Sequence, residues 1–153
     1  MNFLNRVILI TGASSGIGRQ LAVEFAARGA IVVGCGRSII KLKEALKEVR
    51  RTSPRSTMIG CDVSDAEQVR GMVKKILADY GQIDILVNNA GIGMRKAFIE
   101  TSLETVEQLM RTNYLGGVYC THEALPSMIA RRIGHIVNIS SAAGKIGTLD
   151  MAA

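Results

Sequence analysis

A chain of 153 residues with 48% hydrophobic content, 16 glycines and two prolines can bury the core of one α/β domain, and this composition argues against a disordered or fibrous protein. Its net charge of +6 is spread over helical patterns (Lys41, Lys43, Lys47, Arg50, Arg51; Lys74, Lys75; Arg131, Arg132), and with aromatics at 4% it reads as solvated faces with some attraction for an anionic cofactor, not as a nucleic-acid stripe. Three dispersed cysteines and two histidines lack metal-ligand spacing and point to reduced thiols in a cytoplasmic setting, while no apolar run reaches the roughly 18–20 residues of a membrane span.

Met1–Arg6 carries no signal-peptide pattern, because the first apolar run, Arg6–Ile10, leads straight into Thr11-Gly12-Ala13-Ser14-Ser15-Gly16-Ile17-Gly18. The run is β-branched and reads as a buried strand. After the glycines, Ile17, Leu21 and Phe25 repeat as one face of a helix would. A strand, a glycine turn and a helix N-terminus in that order suit a pyrophosphate, because the backbone comes close and the free N–H groups face the anion.

Ile31–Cys35 reads as a second buried strand, ending in Gly36-Arg37-Ser38. In a dinucleotide-binding unit the end of this strand meets the adenosine ribose, and an acid there would bind the 2′-hydroxyl of NAD. Here stands Arg37, with no carboxylate to repel a 2′-phosphate, which favours NADP over NAD. The alternative is that Arg37 only opens the next helix in solvent. That helix runs from Ser38 to Arg51 by pattern, with Ile39, Leu42, Leu46 and Val49 on one face, and Thr52–Arg55 breaks it.

Ser56–Cys61 is a short third strand, followed by Asp62-Val63. Asp62 either caps the turn or meets the adenine amino group at the mouth of the sheet. Ser64 and Glu67 have capping-box spacing ahead of a helix carrying Val69, Val73, Ile76 and Leu77 as far as Tyr80. A fourth strand, Ile83–Val87, delivers Asn88-Asn89-Ala90-Gly91 to the sheet end where open parallel sheets bind ligands. A long helical pattern then runs from about Leu103 to Arg132, with Thr101 and Glu104 as a capping box and Asn113, Gly116 and Gly117 as interruptions. Close packing would explain the glycines, and a buried amide with structural or catalytic hydrogen bonds would explain Asn113. The fifth strand, His135–Ile139, ends at Ser140-Ser141. Strands alternating with helices predict a doubly wound, Rossmann-like parallel sheet of about five strands, one dinucleotide-binding domain over residues 1–153.

Thr11–Gly18, Asn88–Gly91, Asn113 and the strand ending in Ser140-Ser141, in this order, resemble the short-chain dehydrogenase/reductase family across essentially the whole chain. The resemblance implies that Gly12, Gly16, Ile17 and Gly18 wrap the cofactor pyrophosphate, with Ser14 and Ser15 in the variable slots. It implies that Arg37 marks NADP preference, that Asp62 and Val63 flank the adenine, and that Asn89, Ala90 and Gly91 line the cofactor. It further implies that Asn113 holds a water of the proton relay and that Ser141 hydrogen-bonds the substrate oxygen, leaving Ser140 structural. The implied reaction interconverts a small-molecule secondary alcohol and a ketone.

The family's acid/base is a tyrosine in a Tyr-x-x-x-Lys helix beyond the serine. None of Tyr80, Tyr114 or Tyr119 is followed four residues later by lysine. The resemblance is therefore to the N-terminal part of the family, without its C-terminal strands and helices. The expectation is a fragment of a longer, homo-oligomeric enzyme, inactive by itself; the alternative is a non-catalytic dinucleotide-binding or scaffold protein.

Overall fold

The computed structural model describes residues 3–146; the two ends of the expected domain, 1–2 and 147–153, lie outside the described residues. Strands β1 (Val7–Thr11), β2 (Ile31–Gly36), β3 (Thr57–Gly60), β4 (Ile85–Asn88) and β5 (His135–Asn138) form one sheet in the order β3-β2-β1-β4-β5, every neighbouring pair parallel. The connecting helices are α1 (Gly16–Ala27), α2 (Ile39–Val49), α3 (Ala66–Tyr80), α4 (Leu103–Met110) and α5 (Gly116–Arg131). The doubly wound architecture read from the sequence is the one found.

Pleating sorts the strand residues into two cores. Val7, Leu9, Ile31, Val33 and Cys35 pack with α3 and α5, while Ile8, Ile10, Val32, Ile85 and Val87 pack with Ala22, Ala26 and Val49 of α1 and α2. Both faces of β1 are therefore dry, which is why its sequence is a continuous apolar run. Shortening the wholly buried Leu9 to alanine is expected to cost roughly 2–5 kcal/mol. At the opposite end from the glycine turn, buried Asp84 ties three elements together. It accepts the Val7 N–H at 2.8 Å, Arg131 Nη1 at 3.0 Å and Gln82 Nε2 at 2.8 Å.

Four local expectations are corrected. In α1 the packed face is Gly18, Ala22 and Ala26, and Ile17 is exposed. The expected face of Ile17, Leu21 and Phe25 fails because only small residues let this helix lie against the strands; Leu21 and Phe25 pack at the margin of the core. Asp65, not Ser64, caps α3, its carboxylate accepting the Glu67 and Gln68 N–H groups at 2.9 and 3.1 Å. Ser102, not Thr101, caps α4, because the Thr101 hydroxyl is spent on the Ala97 carbonyl at 3.0 Å. The long helix is two helices, joined by a π-turn over Arg111–Leu115 that contains Asn113. Gly116 is explained by close packing, since a side chain there would meet Val63 Cγ2 at 2.8 Å.

Candidate functional site

The sheet order reverses between β1 and β4, and the residues after β1, β2, β3 and β4 meet there at the carboxyl ends of the strands. Their groove, about 320 Å³, is lined by Gly12, Ser14, Ser15 and Ile17, by Arg37, by Asp62 and Val63, and by Asn89, Ala90 and Gly91. With Gly36, Cys61 and Ile92, thirteen of the groove's fourteen lining residues come from the ends of these four strands. Its position is the topological switch point at which open α/β sheets bind ligands.

The glycine turn sits where only glycine fits. Gly12 has φ of +68°, and a side chain there would meet Ala90 Cα at 2.9 Å. Gly16, at φ +54°, has open space around it and does not itself line the groove. Gly18 lies beneath the turn and does not line the groove; a Cβ on it would collide with the Gly12 carbonyl oxygen and the Asn89 amide. Turn and helix are therefore pressed together at the backbone, leaving the amide-rich side open to an anion. The turn, the open space at Gly16 and the helix start fit a pyrophosphate group.

Thr11 is the residue whose part the sequence reading missed. Its buried hydroxyl accepts the N–H groups of Asn89 and Ala90, each at 2.9 Å, and lies 3.4 Å from the Val87 carbonyl oxygen. Asn89 Nδ2 donates back to the Thr11 carbonyl at 2.9 Å. One side-chain hydroxyl thereby fixes the loop after β4 against the glycine turn. Asp62 caps its own turn, with Oδ1 accepting the Ser64 N–H and hydroxyl at 3.0 and 2.8 Å, and still lines the groove; the two roles proposed for it are compatible. Arg37 is exposed at the rim and pairs with no carboxylate among the described residues. Thr112, Ile92 and Cys61 also line the groove and carry no sequence signal that separates them from ordinary core residues.

The serine end is arranged differently. A second cavity of about 590 Å³ lies between α5 and β5, lined among others by Asn88, Asn113, Asn138 and Ser140. Asn88 Nδ2 donates to Asn138 Oδ1 at 2.8 Å, while its buried Oδ1 has no hydrogen-bond partner among the described residues. Both ends of the Asn113 amide hold Ile92: Oδ1 accepts the Ile92 N–H at 2.8 Å and Nδ2 donates to the Ile92 carbonyl at 2.9 Å. Ser140, not Ser141, reaches this cavity; Ser141 Oγ accepts the Ala143 N–H at 3.2 Å and caps the turn Ala142–Gly144. Among the described residues there is no cluster able to hold a metal ion, and no helix is long and apolar enough to cross a membrane.

Sheet order, glycine turn and switch-point groove define the class as a doubly wound Rossmann-type α/β domain. The family profile described as short chain dehydrogenase matches residues 6–153, and the chain belongs to that family. The bovine (Bos taurus) dehydrogenase/reductase SDR family member 7B is 41% identical over 148 residues, which cover 93% of this chain and 46% of that protein. The chain thus spans about half the length of this relative. Among solved structures, a metagenomic short-chain oxidoreductase in complex with NADP superposes with a TM-score of 0.94 at 32% identity, covering 99% of this chain and 69% of that one. A short chain dehydrogenase/reductase from Burkholderia phymatum in complex with NAD gives a TM-score of 0.94 at 28% identity, covering 99% and 54%.

Proposed function

We propose that this chain is the cofactor-binding part of an NADP(H)-dependent oxidoreductase that interconverts a secondary alcohol and a ketone. The observation that carries the reading is the single groove running from the glycine turn past Arg37 and Asp62 to Asn89–Gly91. In this reading the turn Gly12–Gly18, with Ser14, Ser15 and Ile17, holds the pyrophosphate. The free Arg37 guanidinium meets the 2′-phosphate as a charge-assisted pair. Asp62 and Val63 flank the adenine, and Asn89, Ala90 and Gly91 support the nicotinamide half. When bound, the nicotinamide supplies the hydride chemistry, while the protein supplies position and proton handling.

Ser141 is assigned to the substrate oxygen, to which its O–H can donate while its oxygen still accepts the Ala143 N–H. Asn113 acts as a positioning residue through Ile92, so a relay water falls to its main-chain carbonyl and not to its amide. A tuned tyrosine–lysine pair would move the substrate proton, and no such pair occurs in these 153 residues. The chain by itself is therefore expected to bind NADP(H) without turning it over. The second reading, a non-catalytic dinucleotide-binding protein, would use the same groove. The buried free cysteines suit a reducing, cytoplasmic compartment, and exposed Leu103, Met110, Tyr114 and Ile129 suit self-association of the complete protein.

Fluorescence titration with NADPH and NADH tests the cofactor assignment. Tighter binding of NADPH is expected, reversed by Arg37→Asp, and an unchanged preference in that variant would refute the role of Arg37. Steady consumption of NADPH with a panel of ketones would refute both the expected inactivity and the non-catalytic reading.

A further inference from the structure

Three cysteines separated along the chain converge in one apolar layer behind the groove: Cys35 in β2, Cys61 after β3 and Cys120 on α5, all free and buried. They are not equivalent. Among the three, only Cys61 lines the groove, next to Asp62 and Val63. The Cys35 thiol stands between Cys61 and the glycine turn, interacting with the Cys61 thiol and with the Gly12 backbone N–H. Donation from Cys35 lowers the Cys61 thiol below its ordinary value, against the opposing push of burial and of the Asp62 and Asp65 carboxylates. Its partnership with Cys61 and its enclosure raise Cys35, and burial pushes Cys120 up to about 12. Thiolate character and access govern cysteine reactivity; Cys61, though buried, is the one of the three at the groove wall, with Cys35 near it across the strand register.

We propose that Cys61 is a thiol modification site in the groove, oxidised by small hydroperoxides and resolved by Cys35 as an intramolecular disulfide. The Cys61 thiolate attacks the peroxide oxygen, the O–O bond breaks, and a sulfenic acid forms with release of water from hydrogen peroxide. The Cys35 sulfur then attacks the Cys61 sulfur; the S–S bond forms, and the sulfenic oxygen leaves as water with the Cys35 proton. The two thiols give up two electrons in all, and the hydroperoxide accepts them. Cys35 stands in register with Ile59, two residues before Cys61, and the Cys61 N–H donates to the Gly36 carbonyl at 3.0 Å. Closing an S–S bond across that diagonal draws Cys61 toward β2, strains this hydrogen bond and shifts the Asp62–Val63 wall. The effect on cofactor binding rests on placing the adenine at that wall; the thiol chemistry does not.

The test treats the protein with hydrogen peroxide, alkylates the remaining thiols and maps tryptic peptides. The expected product links the peptide 29–37 to the peptide 56–70, with Cys120 unoxidised. Cys35→Ser should instead accumulate a Cys61 sulfenic acid trapped by dimedone, and Cys61→Ser should leave Cys35 unoxidised. Oxidation of Cys120 as fast as Cys61, or an intact Cys61 while free glutathione in the same tube is consumed, would overturn the proposal. Repetition with NADP+ should slow Cys61 oxidation in proportion to occupancy. Selective oxidation that saturating NADP+ does not slow would support the thiol site and refute the placement of the dinucleotide in this groove.

Discussion

From Val7 to Thr11 every residue of β1 is buried, whereas in β5 at the sheet edge His135 and Asn138 are exposed and Ile136 and Val137 only half-buried. The two ends of the site follow that gradient. Around β1 and β2 the groove is shaped by backbone: the Gly12 turn, Gly18 beneath it and the Thr11 hydroxyl holding Asn89 and Ala90. Beside β5 the chemistry-bearing groups are side chains on exposed segments. Ser141 is satisfied by its own turn, Asn113 by Ile92, and Asn88 retains an orphan carbonyl oxygen. In the proposed reading, binding of the phosphates needs only geometry already locked by the core, while handling of a substrate oxygen needs groups that these residues do not yet aim.

The sharpest way to break the comparison is Gly12→Val. A side chain at φ +68°, 2.9 Å from Ala90 Cα, carries about 1–3 kcal/mol of backbone strain beyond the clash, and is expected to weaken NADPH binding by at least about tenfold. Circular dichroism checks that the fold persists. Next comes Thr11→Val, which strands the Asn89 and Ala90 N–H groups and should lower stability by roughly 2–3 kcal/mol in urea unfolding. Its counterpart at the exposed end, Asn113→Ala, breaks a similar two-point clamp on Ile92 but should cost only about 1 kcal/mol, because water replaces the lost partners. Equal losses would remove the distinction between the two ends.

How much of this was legible in the sequence follows the same gradient. The glycine turn and the five strands could be read because burial on both faces and backbone constraint restrict residue type strongly, whereas ten of the groove residues, most of them half-buried or exposed, were legible chiefly through the family resemblance. Thr11 looked like one more β-branched strand residue, since nothing local marks a hydroxyl whose partners lie more than seventy positions away. The caps slipped by one residue because Ser64 and Asp65, or Thr101 and Ser102, are both competent, and only the three-dimensional direction of each side chain chooses between them. Ile17 fell on the wrong face because period alone cannot tell that α1 must approach the sheet through Gly18, Ala22 and Ala26. The meeting of Cys35, Cys61 and Cys120 depends on the sheet order and had no local signal.

The smallest expected effect lies outside both ends. Asp65, held below the ordinary aspartate range chiefly by accepting the Gln68 N–H, helps to stabilise the start of α3. Because its folded value is depressed, that contribution is present above the ordinary aspartate range and is lost as pH falls through the folded value. Asp65→Asn should therefore lower Tm slightly near neutrality and match the parent protein in strong acid; a difference that persists in acid would contradict the charge-based account.

Isothermal titration of the 153-residue protein with NADPH tests the central claim most directly, because it asks whether the buried half of the site suffices by itself. Saturable binding at one site per chain, in the micromolar range (~10⁻⁶ M, about 8 kcal/mol) and weakened at least about tenfold by Gly12→Val, is the result expected. A folded protein that takes up neither NADPH nor NADH would contradict it.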